Sequence, residues 1–269
     1  MSNFWQRTLF GTIFVSILIG AILYDAITFR VLFLLIAVGA LDEFYKIVTT
    51  ENSQPNKKAG RIIGILTYIL LSTIAFGNLH YKYITLIAVL LLFIPLAELY
   101  RNKEQPIVNI SLTWFGIFYT VLPFGLLNFI ATQKIDYNPE IILGYFILQW
   151  SSDSFAYLFG ITMGKRRLFE RISPKKSWEG FIGGGLLTLI AGYIIAMYFH
   201  SLSASDWMII AFIIVITGTL GDLVESLLKR TYQLKDSGNI IPGHGGILDR
   251  FDSLIFAIPF IWLYLNFIH

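Results

Sequence analysis

The sequence predicts an all-α polytopic membrane protein of about nine transmembrane helices. Three observations predict it. Hydrophobic residues fill 56% of the 269 positions and charged residues only 14%, whereas a soluble domain carries about 25% charged residues. Mean hydropathy is +0.69, so a water-facing surface would be short of charge and a bilayer is the natural solvent. Nine apolar runs each approach the roughly 17–25 residues that a helix needs to cross a hydrocarbon core.

The runs lie at 8–25, 28–45, 61–78, 82–98, 107–130, 140–162, 181–199, 206–228 and 252–268. The first follows Arg7, lacks an A-x-A cleavage signature and is soon followed by another, so it reads as a retained span. A very short connection, Asp25–Ile27, joins the first two. Pro95 and Pro123 fall inside runs, where the missing N–H predicts a kink or a helix end. Trp114, Trp150, Trp178 and Trp207 fall near predicted interfaces, as in an aromatic belt. Gly180 and Gly184 have the small-xxx-small spacing of closely packed membrane helices. The polar residues divide the chain into an N-terminal bundle, 1–135, with five runs, and a C-terminal half, 136–269, with four.

Charge sets the orientation. On a nine-span layout, 17 of the 20 lysines and arginines fall on the side of the N-terminus, and Arg30, Lys82 and Lys134 on the other. The positive-inside rule puts the rich side in the cytoplasm. There are no cysteines, which excludes disulfides, thiolate nucleophiles and Cys-ligated zinc. The net charge of +3 is mild, and no nucleic-acid partner is expected.

Ionisable groups within spans are costly, so each marks a candidate site. In the eighth run, Asp222, Glu225, Ser226 and Lys229 recur on one helical face. The stripe reads either as a site or as a lattice that neutralises itself. Lys235, Asp236 and Gly238 follow, then Pro242, Gly243, His244, Gly245 and Gly246, an irregular loop whose backbone can approach an anion. Asp249, Arg250 and Asp252 open the last run. There they serve either as helix-capping acids or as ligands. Magnesium binds one or two carboxylates together with substrate phosphates, so Asp222 with Asp249 and Asp252 would form a partial cage. Lys229, Arg230, Lys235 and Arg250 would engage phosphates. Carboxylates, bases and a glycine loop together point to phosphoryl or nucleotidyl transfer.

A second cluster runs from Lys165 to Gly180. Lys165, Arg166, Arg167 and Arg171 suit a topology determinant or anionic lipid. Ser173 and Pro174 read as an N-cap and first helical residue, which would put Lys175, Lys176 and Ser177 at an anion-friendly helix start. In the sixth run Asp153 sits in a polar knot, Ser151–Ser154, and is expected to face the bundle interior and meet a cation or base.

These residues resemble the phosphatidate cytidylyltransferase (CDP-diglyceride synthase) family. The match comprises Ser226, Lys229, Arg230, Lys235, Asp236, His244, Gly245, Gly246, Asp249, Arg250 and Asp252 at the motif spacing, and upstream Asp153, Ala156, Tyr157, Gly160 and Ser173–Gly180. It spans about a third of the chain, and the N-terminal half adds only hydropathy. The resemblance implies a nine-helix homodimeric membrane enzyme; with the charge asymmetry, the active site is expected to face the cytoplasm from the cell (inner) membrane. It implies a centre of Mg²⁺ and K⁺, with Asp222 and Asp249 as metal ligands. It groups Asp153, Lys176, Ser177, Lys229, Arg230, Lys235, Asp236, His244 and Asp252 around that centre. The implied reaction joins CTP to phosphatidate among membrane lipids, giving CDP-diacylglycerol and pyrophosphate. Related lipid acceptors, such as an ether lipid or a polyprenol, are the nearest alternative. A transporter or channel is the alternative of another class.

Overall fold

A computed structural model of the chain describes residues 3–133, 136–238, 240 and 245–268. Every one of the nine apolar runs is helical. The helices are α1 (Asn3–Tyr24), α2 (Ala26–Ile47), α3 (Lys57–Ala75), α4 (Tyr81–Leu99, opening with a 3₁₀ turn), α5 (Pro106–Ala131), α6 (Pro139–Met163), α7 (Trp178–Ile195), α8 (Ala204–Thr231) and α9 (Leu248–Ile268). Among the described residues, five of them, α3, α4, α5, α7 and α8, are long and apolar enough to cross a membrane. In α2 the apolar face is interrupted by Arg30, Asp42, Glu43 and Lys46. The outer faces fit a lipid solvent: on α7, Ile182, Leu186 and Ile190 form an exposed stripe at helical spacing.

The chain falls into two compact units, Met1–Tyr137 with Tyr232–Phe251, and Asn138–Thr231 with Asp252–His269. In the first, α2 supplies the core through Phe29, Phe33, Ala37, Ala40, Leu41 and Phe44, all fully buried. Phe251 meets Phe33 and Phe124 edge-on, with ring centroids 6.5 and 5.5 Å apart. A polar chain crosses this apolar interior. Arg30 Nε donates to Ser72 Oγ at 2.7 Å, and Ser72 Oγ donates to Asn128 Oδ1 at 3.0 Å. Inside a bilayer such groups need partners of this kind, because lipid offers none.

Neither Pro95 nor Pro123 ends its helix. Helix α4 continues through Pro95. Ahead of Pro123, α5 widens into a π turn, Ile117–Val121, where Leu122 N–H donates to Ile117 O five residues back. That register suits a proline that cannot donate and would crowd the carbonyl of the preceding turn.

The second unit holds α6, a two-stranded antiparallel hairpin, α7, α8 and the body of α9. The hairpin is β1 (Arg167–Phe169) and β2 (Ser173–Ser177), with Arg167 opposite Ser177 and Phe169 opposite Ser173. Gly180 and Gly184 perform the expected close packing of α6 on α7. A Cβ at Gly184 would fall 2.6 Å from Ala156 N, and one at Gly180 would fall 2.7 Å from Ala156 O. Trp207 departs from the belt reading. It is fully buried, with its ring against Gly144. Trp114, Trp150 and Trp178 are partly exposed, as a belt requires.

Candidate active site

Within the second unit, α6, the hairpin, α7 and α8 enclose a cavity of about 750 Å³. Asp153 and Gln149 line it from α6, Lys175, Lys176 and Ser177 from β2, and Gly218 and Asp222 from α8. The hairpin determines which of these can meet. Pro174 favours extended backbone before it, and pairing with Arg167–Phe169 keeps Ser173–Ser177 a strand. The helix cap is therefore Ser177, not Ser173. Its Oγ accepts from Gly180 N at 3.1 Å, and α7 starts at Trp178. Glu179, in the first turn, accepts from the backbone N–H of Lys165 and Arg166 at 3.0 and 3.1 Å and ties the loop to that turn. Lys175 and Lys176 are strand residues, so alternate side chains point to opposite faces. Lys176 is half-buried and Lys175 exposed.

Lys176 Nζ lies 2.6 Å from Asp222 Oδ2. Ser226 Oγ donates to Asp222 Oδ1 at 3.2 Å. One turn further, Lys229 Nζ contacts Glu225 Oε2 at 2.5 Å, with Glu225 fully buried. The stripe on α8 thus divides: Glu225 and Lys229 form the inward ion pair, while Asp222 turns to a base from another element. Lys229 and Arg230 are not among the cavity's lining residues. Asp153 Oδ1 accepts from Gln149 Nε2 at 3.1 Å. Asp252, at the start of α9, is within electrostatic reach of Asp222, Asp153 and Lys176. Close packing of α8 on α9 holds it there. Ser253 Oγ donates to Gly218 O at 3.1 Å, and a Cβ at Gly221 would meet Asp252 O at 2.6 Å. Gly218 ends a second π turn, Ile214–Gly218, a feature common at functional sites.

The other described motif residues belong to the first unit. Asp249 Oδ2 accepts from Ser237 N and Gly246 N at 2.9 and 2.8 Å and lies 2.9 Å from Ser237 Oγ. Gly245 has φ +84°, a left-handed conformation that glycine adopts without strain. Lys235, Asp236 and Arg250 are exposed. His244 lies outside the described residues.

Sequence reasoning missed two residues here, Glu43 and Ser237. Glu43, on α2, is 1% exposed and accepts from Ile247 N and Leu248 N, with Ser237 Oγ 3.1 Å from its Oε2. An acid near the end of an apolar run was a usable signal. Its partners, some two hundred residues away, were not visible.

Among the described residues, no group of three or more His, Cys, Asp or Glu side chains converges to hold a metal ion. Magnesium does not require one, since water and substrate phosphates complete its shell. Asp222 and Asp153 offer hard oxygen donors in one cavity, and Asp222 already carries a cationic partner in Lys176. The donor set fits.

A family model described as the cytidylyltransferase family matches residues 5–268. The chain belongs to the cytidylyltransferase family. Similar proteins carry a narrower name. A phosphatidate cytidylyltransferase of Rickettsia bellii (strain RML369-C) is 32% identical over 97% of this chain and 90% of its own. Another, of Staphylococcus haemolyticus (strain JCSC1435), is 38% identical over 69% of each chain. A third, of Bacillus subtilis (strain 168), is 45% identical over 51% of this chain and 52% of its own. The match includes the N-terminal half, whose sequence offered only hydropathy. In this cytidylyltransferase, then, the cavity of the second unit holds acids and bases side by side among apolar helices, as a reaction between charged nucleotide and lipid requires.

Proposed function

We propose that the chain is a phosphatidate cytidylyltransferase that makes CDP-diacylglycerol and pyrophosphate from CTP and phosphatidate. A phosphatidate phosphate oxygen attacks the α-phosphorus of CTP, and the bond to pyrophosphate breaks. A phosphate monoester has its second pKa near roughly 6, so the nucleophile is ionised at neutral pH and needs no strong base. The difficulty is repulsion between two polyanions. Bound Mg²⁺, with K⁺ as a second cation, would supply charge neutralisation.

The residues assigned to the metal are Asp222, Asp249 and Asp252. The assignment of Asp222 is supported by its place in the cavity, and those of Asp249 and Asp252 by the motif. Lys175, Lys176 and Ser177 bind phosphate from CTP or lipid, Lys176 by moving its ammonium between Asp222 and the substrate. Lys229, Arg230 and Lys235 stabilise charge on pyrophosphate. The further assignments follow the motif and the charge pattern: nine spans, a homodimer, and a site opening to the cytoplasm of the cell membrane. Acyl chains then stay in lipid while CTP arrives from water.

The observation that carries this reading is the cavity lined by Asp153, Lys175, Lys176 and Asp222 in a chain of this family. The test is turnover by purified protein with CTP against the other nucleoside triphosphates, with and without phosphatidate. CTP- and phosphatidate-dependent pyrophosphate release is expected. Release that ignores either reactant overturns the assignment.

A further inference from the structure

We infer that Glu43 is a positioning residue, which fixes the described flanks of the glycine loop at Ser237 and Ile247–Leu248 and, through Ser237, the carboxylate of Asp249. The inference rests on the proposed reaction only for Asp249's part in turnover. The geometry of Glu43 stands apart from it.

Glu43 is buried on an apolar helix, where an ionisable group is costly unless held. It is held from both flanks of the loop. Ile247 N donates to Oε1 at 2.9 Å and Leu248 N to Oε2 at 2.8 Å, and Ser237 Oγ lies 3.1 Å from Oε2. The first N–H groups of a helix lack intrahelical acceptors, so Glu43 supplies from α2 what a local cap supplies elsewhere. A cap alone would not explain the two glycines beside this carboxylate. A Cβ at Gly238 or at Gly246 would lie 2.6 Å from Glu43 Oε1, so both glycines leave room for this carboxylate.

Ser237 couples the two acids. Its Oγ lies 3.1 Å from Glu43 Oε2 and 2.9 Å from Asp249 Oδ2, and a hydroxyl has one proton to donate. Whichever acid Ser237 serves, the other relies on backbone donors: Ile247 and Leu248 for Glu43, and Gly246 and Ser237 itself for Asp249. Turning Glu43 changes which acid Ser237 Oγ serves, and removing that hydroxyl takes a direct contact from Asp249, so either change loosens the Asp249 carboxylate.

The test uses the full chain in lipid nanodiscs, with hydrogen exchange read by mass spectrometry alongside kinetics. Glu43→Gln keeps the volume but turns an N–H₂ toward N–H donors. Exchange in peptides carrying Ser237–Gly238 and Gly246–Asp249 should rise roughly 10–100-fold, the effect of about one lost hydrogen bond. Peptides from α6 to α8 should not change. Under the CTP and phosphatidate assay, kcat should fall by about the same factor and KM much less, because orientation rather than binding is lost. Wild-type exchange in the loop, or wild-type kcat despite a loosened loop, overturns the inference. Should Glu43→Gln unfold throughout, Ser237→Ala reads the same relay, and wild-type exchange and kcat there overturn it equally. A wild-type protein that makes no CDP-lipid sinks the proposed function, and loop exchange then decides the role of Glu43 alone.

Discussion

Lys176 Nζ and Asp222 Oδ2 stand 2.6 Å apart, and the two residues come from a hairpin strand and a helix far separated in sequence. Neither group is fully buried, with side-chain exposures of 27% and 36%. Solvent screening keeps such a pair weak, so it can open for a substrate phosphate or a metal. A pair too weak to matter for stability is well suited to exchange partners during turnover.

Asp222→Asn preserves the shape of that contact and removes the charge. Turnover should fall by at least about 10²–10³-fold, the usual cost of deleting a group that acts on developing charge. Expression, membrane insertion and thermal stability should stay near wild type. Steady-state kinetics beside a melting curve checks both. Near-normal turnover would remove Asp222 from the site.

Lys229 poses a different question, because its ion pair with Glu225 is buried. Lys229→Met should destabilise by about 3–5 kcal/mol, since it strands a buried carboxylate. Adding Glu225→Leu should recover most of that loss, a coupling that a double-mutant cycle in thermal denaturation measures. Turnover should stay low in the double variant if Lys229 also serves the reaction. Recovery of both would make the residue purely structural.

Gly184 tests the packing beneath the cavity. A valine there forces its Cβ within 2.6–2.7 Å of the Ala156 backbone, which cannot yield as a side chain can. Overpacking of this kind costs about 1–3 kcal/mol, read as a lowered Tm in detergent. Gly20→Ala, whose Cβ would meet nothing within 4 Å, should instead be neutral or stabilising by up to about 1 kcal/mol.

Removing divalent cations with a chelator should stop turnover reversibly, with Mg²⁺ restoring it. Calcium should restore it poorly, because it takes more ligands at longer distances than magnesium. Full activity in the chelator would contradict the metal assignment.

These outcomes separate what local sequence carries from what it does not. Hydropathy located every long helix among the described residues, because exclusion from water acts residue by residue. The glycines at 180 and 184 were legible too, since close helix approach needs small side chains at that spacing. Ser173–Pro174 was misleading. The pair satisfies the local rules for a helix start, but strand pairing with Arg167–Phe169 overrides them and moves the cap to Ser177. The stripe on α8 showed its acids and bases without showing their partners. Periodicity placed Asp222, Glu225 and Lys229 on one face, while the choice of Lys176 for Asp222 depends on a hairpin elsewhere in the chain. Glu43 and Ser237 stayed hidden for the same reason.

The most direct measurement follows the label. Purified protein in nanodiscs receives phosphatidate with CTP carrying ³²P at either the α or the γ position. The account predicts that the α label enters the lipid product and the γ label leaves in pyrophosphate, with Asp222→Asn abolishing both. Transfer of the γ label to lipid, or no labelled lipid at all, would contradict it.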